Sequence, residues 1–170
     1  MGIAACGGSG HAKPRPDRLV VQESTTISPE LGATDEDDST ILNFGHAVSP
    51  RVESELKALT KRYYALALAG NGAKACSMLY SATATEVVVE QDDWGVSGKT
   101  CPVVMSKIFQ QRHRQIAAEL RSFNVVRVRT DGLSGYLVVR TPVSPVAREF
   151  SARRVGHAWK VGQPLDRQMR

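Results

Sequence analysis

The sequence predicts an α+β domain in which three N-terminal helices pack on a curved four-stranded antiparallel sheet. Over residues 50–120 apolar side chains recur at helical steps of three and four, whereas residues 126–161 show the period of two that is typical of half-buried strands. A chain of 170 residues with 42% hydrophobic side chains can also bury one core of ordinary size. Helices followed by a run of strands favour an α+β layer over alternating β-α units.

The first predicted helix begins at Ser49-Pro50, because serine suits the N-cap and proline suits the first helical turn. It ends before Gly70-Asn71-Gly72, and a short second helix over residues 73–80 follows. The third helix begins at Cys101-Pro102 and runs to about Leu120. The apolar stripes of the first and third helices are Val52, Leu56, Leu59, Tyr63 and Leu66, and Met105, Ile108, Phe109, Ile116 and Leu120.

Four strands are predicted after the helices. The first carries Val126 and Val128 in alternation with two arginines, and Asp131-Gly132 makes the turn that follows it. The other three cover residues 136–139, 146–155 and 158–161. The apolar run over residues 86–90 predicts either a further short strand or an extended lead-in to the next loop.

The chain before the domain is predicted to be a flexible tether over residues 7–49, and residues 163–170 are predicted to be a tail. The predicted tether contains two polar runs, Lys13-Pro14-Arg15-Pro16 and Asp35-Glu36-Asp37-Asp38. Such a segment cannot bury enough apolar surface to offset the entropy that is lost on ordering. Residues 1–50 hold three basic and seven acidic side chains, whereas residues 51–170 hold nineteen and ten. As an alternative, residues 39–44 add an edge strand or a cap to the domain.

Three cysteines leave one thiol over if two of them pair. Ile3-Ala4-Ala5-Cys6 resembles a bacterial lipobox, in which the cysteine is linked to diacylglycerol, and a small polar linker, residues 7–10, follows it. Residues 1–6 would then be the remnant of a lipoprotein signal, and Met1 an internal start, because a signal peptide needs about 7–15 apolar residues before the cleavage site. This interpretation predicts an anchor at the outer face of the cytoplasmic membrane. The alternative is an ordinary cytosolic start with a chance match.

The domain resembles a known superfamily at several motifs. These are the run over residues 64–76, which ends Ala69-Gly70-Asn71-Gly72-Ala73-Lys74-Ala75-Cys76, a second cysteine opening the third helix, four strands, and the closing Gly156-His157-Ala158-Trp159-Lys160-Val161. Together they are similar to the cone-shaped fold of the ketosteroid isomerase and nuclear transport factor 2-like superfamily, in its secreted bacterial lipoprotein branch. The resemblance covers residues 50–162. It implies a cone cavity that accepts a small apolar ligand and a sheet through which homodimers form. It leaves the activity open, because this fold hosts isomerases, dehydratases and binding modules.

Cys76 and Cys101 are expected to form a disulfide, the usual fate of two cysteines in a small domain outside the reducing cytoplasm. Closing a loop of about 25 residues would stabilise the fold by roughly 3 kcal/mol in the chain-entropy model. The alternative, two buried free thiols in a cytosolic protein, follows if the lipobox match is accidental.

A candidate pocket is predicted around Tyr63, Tyr64, Phe109 and His113. His113 lies at the edge of the third helix's stripe, where in a cone fold it could polarise a carbonyl or act as a base with a tyrosine. The simpler interpretation is a histidine held by a backbone carbonyl or flanking solvent beside Arg112 and Arg114. No carboxylate can be matched to a catalytic position, so no catalytic residue is assigned and no cofactor is expected.

Several other function classes have little support. Gly98-Lys99-Thr100 imitates a phosphate-binding loop, but Asp93 replaces the leading glycine, and a carboxylate there would oppose phosphate. The four histidines are scattered, which argues against a metal site. Aromatic residues make up only 6% of the chain and none interleaves with the arginines, which argues against nucleic acid.

A candidate basic face is predicted from Arg127, Arg129 and Arg140, with Arg148 and either Arg153 or Arg154 as further members. Such a face could meet anionic headgroups, cell-wall polymers or an acidic partner, or it could simply keep the sheet soluble. The sequence therefore predicts a membrane-anchored, non-catalytic module that binds a small apolar ligand or an envelope protein. The alternatives are a small isomerase or dehydratase using His113 and a tyrosine, and a cytosolic subunit that dimerises through its sheet.

Overall fold

The computed structural model describes residues 43–165, without the side chains of residues 145 and 146. This part of the chain forms five α-helices, one 3₁₀ helix and one five-stranded antiparallel sheet. The α+β class is confirmed, but the predicted counts of three helices and four strands are wrong. The elements are α1 (Pro50–Leu68), α2 (Gly72–Met78), α3 (Ser81–Val89), the 3₁₀ helix (Gln91–Trp94), α4 (Cys101–Gln111), α5 (His113–Leu120), β1 (His46–Ala47), β2 (Asn124–Thr130), β3 (Ser134–Thr141), β4 (Ser144–Val155) and β5 (Ala158–Val161). Cys6, most of the predicted tether and residues 166–170 of the predicted tail lie outside the described residues.

Two of the five helices were not predicted: α3, and α5 as a helix separate from α4. The run predicted as a strand or an extended segment is the end of α3, where Thr83 and Val87 are buried four residues apart while Val89 is 75% exposed. A strand would place Val87 and Val89 on the same face. The predicted third helix is divided at Arg112, whose backbone (φ −98°, ψ 10°) leaves the helical region between α4 and α5.

The strands follow chain order across the sheet, from β1 at one edge to β5 at the other. β1 is the unpredicted strand and comes from the segment predicted as tether; it pairs His46 with Thr130 of β2. It starts two residues after the segment considered as an alternative edge strand. The predicted turn after β2 is present, and the backbone N–H groups of Ser134 and Leu133 donate to the Asp131 carboxylate, which lowers the pKa of that carboxyl.

One face of the sheet, the inner face, packs against the helices. Leu137 of β3, Phe150 of β4 and Val161 of β5 lie on it and join the same buried cluster as residues of α1, α4 and α5. Gly135 lets Leu56 of α1 approach this face closely: a Cβ on Gly135 would lie 3.1 Å from a Leu56 methyl group. The predicted helix-stripe residues that are fully buried in this core are Leu56, Tyr63, Met105, Ile108, Phe109, Ile116 and Leu120.

The opposite face of the sheet, the outer face, carries a second, smaller apolar cluster of Val138, Ala147 and Tyr136. A bulge in β2 between Val125 and Arg127 changes the alternation there, so that Val125 is buried and Val126 is 47% exposed. Because of this bulge, the prediction that Val126 and Val128 lie on the same face of the sheet is wrong.

The segment after β5, residues 162–165, closes the interior. The Thr83 hydroxyl donates to the Gly162 carbonyl oxygen (2.9 Å), and Leu165 is only 4% exposed. Pro164 and Leu165, which were predicted to belong to the tail, therefore contact the interior.

Cys76 of α2 and Cys101 of α4 are joined by a disulfide, with 6.0 Å between their Cα atoms. The two helices touch closely, since a Cβ on Gly72 would lie 2.2 Å from the backbone nitrogen of Ser106. The disulfide thus links two helices that are already in backbone contact.

Candidate functional site

Several aromatic side chains pack against one another between the helices and the inner face. The ring centroid of Tyr63 lies 6.4 Å from that of Phe109 and 6.1 Å from that of Phe150. Tyr64 packs edge-on against Phe123 at 4.9 Å and against Phe150 at 5.6 Å. The structure thus brings together three residues of the predicted pocket, Tyr63, Tyr64 and Phe109, but as a packed cluster, the aromatic core.

The hydroxyl group of Tyr63 is already used inside the protein. It donates a hydrogen bond to the carbonyl oxygen of Pro164 in the segment that closes the interior. Burial raises the pKa of Tyr63 well above its usual value, and the neighbouring Tyr64 adds to the effect. A neutral phenol that donates to a backbone carbonyl does not have its proton available for a bound ligand.

His113 does not belong to this cluster. It is the first residue of α5, and its side chain is exposed. The expectation that it faces an internal cavity is therefore wrong for this structure. Its position follows from the helix break at Arg112, because a continuous helix would have kept His113 in register with Phe109.

A buried ion pair that was not predicted from the sequence lies on the inner face. Arg148 of β4 is 6% exposed, and its Nη2 contacts the Oε2 of Glu119 from α5. The other carboxylate oxygen accepts from Gln115 Nε2 at 3.2 Å. Arg148 was considered for the basic face, but its pairing opposite Val139 places it on the inner face. The sequence signal that could have identified it is spacing: Arg148 precedes the apolar Phe150 and Ala152 by two and four residues, so all three lie on the same face of β4.

The candidate basic face lies on the outer face, where Arg127 and Arg129 stand opposite Val138 and Tyr136. Arg129 has a structural partner: its guanidinium donates to the carbonyl oxygens of Phe44 (2.6 Å) and Gly45 (2.9 Å). The Phe44 ring packs on Tyr136 with 4.5 Å between centroids. The remaining arginines are distributed by register: Arg140 and Arg153 are on the outer face, and Arg154 extends over the Trp159 ring on the inner side.

Within residues 43–165, three surface pockets have linings that do not include Tyr63, Tyr64, Phe109 or His113. One of about 560 Å³ lies beside α4 and is lined by Asp92, Gly95, Val96, Ser97, Lys107, Gln110 and Gln111. One of about 250 Å³ lies beside α3 and is lined by Thr83, Glu86, Val87, Glu90, Trp94, Gly162, Gln163 and Pro164. One of about 340 Å³ lies between α1 and β5 and is lined by Glu55, Ala58, Leu59, Arg62, His157, Ala158 and Trp159.

Among residues 43–165, no three His, Cys, Asp or Glu side chains are grouped so that they could hold a metal ion. Over the same range, no helix combines the length and the apolar character that crossing a membrane requires.

No protein-family model matches this chain, and no curated protein or solved structure matches it either.

Proposed function

We propose that this chain is a non-catalytic interaction module of the bacterial cell envelope, anchored through Cys6 to the outer face of the cytoplasmic membrane. We further propose that its domain is a member of the nuclear transport factor 2-like superfamily. The anchor is supported by the lipobox-like Ile3-Ala4-Ala5-Cys6. The disulfide between Cys76 and Cys101 agrees with an oxidising compartment.

The non-catalytic part of the proposal depends mainly on one observation, the filled interior. Catalysis in a cone fold requires an open cavity in which polar groups converge on a substrate. Here the aromatic core occupies that space, the Tyr63 hydroxyl donates to Pro164, and Glu119 pairs with Arg148. His113 is exposed and away from these groups. No observation in the described residues favours the isomerase or dehydratase alternative.

The outer face is the surface that we assign to a partner. Arg127 is half-buried on this face and has no ion pair within residues 43–165, and the exposed Val126 lies beside it. A positive surface with adjacent apolar side chains suits an acidic protein partner, because opposite charge steers the encounter and apolar contact stabilises the complex. A second copy of the chain, held sheet to sheet, is the competing occupant.

Intact mass analysis tests the location. Protein expressed in a bacterial host from the full upstream reading frame should carry a diacylglyceryl adduct on Cys6, and reductant should add two hydrogens by opening the disulfide. The variant Cys6→Ser should lose the adduct and keep the disulfide. An unmodified product with three free thiols would overturn the proposal.

Photo-crosslinking in living cells tests the partner. A photoreactive residue at position 126, an exposed position next to Arg127, should capture an envelope protein, and Arg127→Glu should abolish the capture. The same residue at position 61 of α1 serves as the control and should capture nothing at comparable yield. Crosslinks that join only copies of this chain would replace the acidic partner with a homodimer, and no crosslink at position 126 would remove the outer face from the proposal.

A further inference from the structure

The chain that leads into β1 crosses onto the outer face. Phe44 lies two residues before β1, yet its ring packs on Tyr136 of β3 with 4.5 Å between centroids, so it reaches across β2. The backbone turns at Gly45, whose φ of +48° lies in the left-handed region that glycine tolerates. Arg129 of β2 holds this turn by donating to the carbonyl oxygens of Phe44 and Gly45. Phe44 therefore places the chain over the outer face instead of in line with β1.

Beyond this aromatic contact, the outer face is first apolar and then positive. Val138 comes next on β3 and forms the smaller apolar cluster with Ala147. Val138 stands opposite Arg127 of β2, and Arg140 follows two residues later on the same face. Glu149, which pairs with Val138 from the other side, is the one carboxylate in the strands that the structure describes. Along β3 the face is thus aromatic, apolar and positive in turn.

The sequence before Phe44 complements this order. Going back from Phe44, it holds the apolar pair Ile41-Leu42 and then the acidic run Asp35-Glu36-Asp37-Asp38, which lie outside the described residues. The length also fits, since about 3.3 Å per strand residue places Arg140 about 13 Å from Tyr136 along β3. The six residues from the end of the run to Phe44 span up to about 20 Å when extended. The acidic run can therefore reach the arginines while the Phe44 ring keeps its contact.

We propose that residues 35–42, here called the acidic segment, dock on the outer face of their own domain. Ile41 and Leu42 cover the apolar cluster, and the carboxylates of the run lie beside Arg127 and Arg140. Arg127 is half-buried and has no ion pair within residues 43–165, so an acidic neighbour suits it. Each exposed ion pair is weak, but the segment is covalently attached, and its effective concentration at the face is on the order of millimolar.

The docking itself depends neither on the lipid anchor nor on a partner. Its consequence deepens the proposed function and rests on it, because an acidic partner can bind the outer face only by displacing the acidic segment. The segment then acts as an internal competitor that sets how readily the partner binds.

Methyl NOE spectroscopy of the full chain tests the docking. NOEs are expected from the methyl groups of Ile41 or Leu42 to those of Val138 and Ala147. The variant Asp35→Asn/Glu36→Gln/Asp37→Asn/Asp38→Asn should weaken these NOEs, because loss of the charge pairs lowers the docking equilibrium constant about tenfold. The methyl signals of Leu137 on the inner face should stay unchanged and report that the domain is folded.

Two controls separate docking from general charge effects and from self-association. Asp17→Asn/Glu23→Gln/Glu30→Gln removes three charges from the chain before the acidic segment and should leave the NOEs unchanged. A mixture of differently labelled copies should show no NOE between copies. The proposal is overturned if the wild type lacks the NOEs, if both charge variants weaken them equally, or if they arise only between copies, which would assign the outer face to a second copy of the chain.

Photo-crosslinking at position 126 distinguishes this inference from the proposed function. The neutralised acidic segment should increase the capture of the envelope protein relative to the wild-type segment. Unchanged capture in a variant that has lost the NOEs would overturn the competition between segment and partner. NOEs without capture in either protein would support the docking and count against the partner, so the two proposals fail separately.

Discussion

Tyr63 is sealed in the interior, where its hydroxyl has a backbone partner and its ionisation is opposed by burial. An unfolded tyrosine ionises near pH 10, whereas Tyr63 in the folded chain stays neutral well above that pH. Above pH 10 the unfolded state therefore binds fewer protons than the native state, and the free energy of unfolding falls as pH rises.

We expect Tyr63→Phe to flatten this alkaline decline. Above pH 10 the wild type should lose up to about 1.4 kcal/mol of stability per pH unit through this residue, and the variant should not. At pH 7 the variant should be less stable by about 1 kcal/mol, because the Pro164 carbonyl loses its donor. Urea unfolding at pH 7, 10 and 11 measures both effects. Parallel pH curves for the two proteins would contradict the expectation.

The buried ion pair of Arg148 and Glu119 leads to a second prediction for single residues. Arg148→Met leaves the Glu119 carboxylate buried without its cation, and we expect a loss of about 3–5 kcal/mol. The double variant Arg148→Met/Glu119→Leu removes both charges and should recover most of that loss. A double-mutant cycle in urea measures the coupling. Equal stability of the single and double variants would mean that the pair is not buried as described.

Among the strands of the described sheet, β1 is the shortest. It contributes two residues to the edge of the sheet, and Arg129 fixes the chain before it by donating to the Phe44 and Gly45 carbonyl oxygens. We expect Arg129→Gln to increase amide hydrogen exchange in residues 44–47 at least tenfold while global stability falls by only about 1 kcal/mol. Arg127→Gln removes the same charge from the same strand and face without touching this segment, so it should leave the exchange unchanged. Similar protection in both variants would show that β1 does not depend on the Arg129 hydrogen bonds.

The elements also show how much of the fold is predictable from local pattern. The apolar stripes of α1 and α4 and the alternation of buried and exposed residues in β5 depend on residues close together in the chain, so the sequence predicts them. α3 was not predicted because three consecutive valines have a high strand propensity. In addition, the Thr83 side chain of α3 bonds to Gly162, which lies 79 residues later in the sequence and which local pattern does not reveal. β1 was missed because two residues carry no period, and what orders them is the distant Arg129.

The candidate site is less predictable for the same reason. That Tyr63, Tyr64 and Phe109 cluster follows from their helix stripes, but whether the cluster leaves a cavity depends on Phe150 and on the closing segment. The exposure of His113 depends on the helix break at Arg112, and no glycine or proline in the sequence indicates that break.

At the scale of the whole molecule, the interior is completed by contacts between the two ends of the domain. Tyr63 meets Pro164 across 101 residues of sequence, and Tyr80 donates its backbone N–H to the Val161 carbonyl at 2.8 Å. The interior is thus closed by the chain segment that follows β5. Whether the interior is a packed core or a blocked pocket can be decided at Leu165, the last described residue.

We expect Leu165→Ala to cost about 2–5 kcal/mol, as for a leucine in a tightly packed core, because the side chain is 4% exposed and belongs to the main cluster. Val155→Ala, at a position that is 47% exposed, is the matched control and should cost less than about 0.5 kcal/mol. Urea unfolding gives both values, and xenon uptake followed by NMR reports whether an apolar cavity opens. A packed core requires that xenon perturb only the Leu165→Ala protein. If the wild type takes up xenon beside Tyr63 and Phe109 to the same extent, the interior already holds a cavity that can accept a ligand.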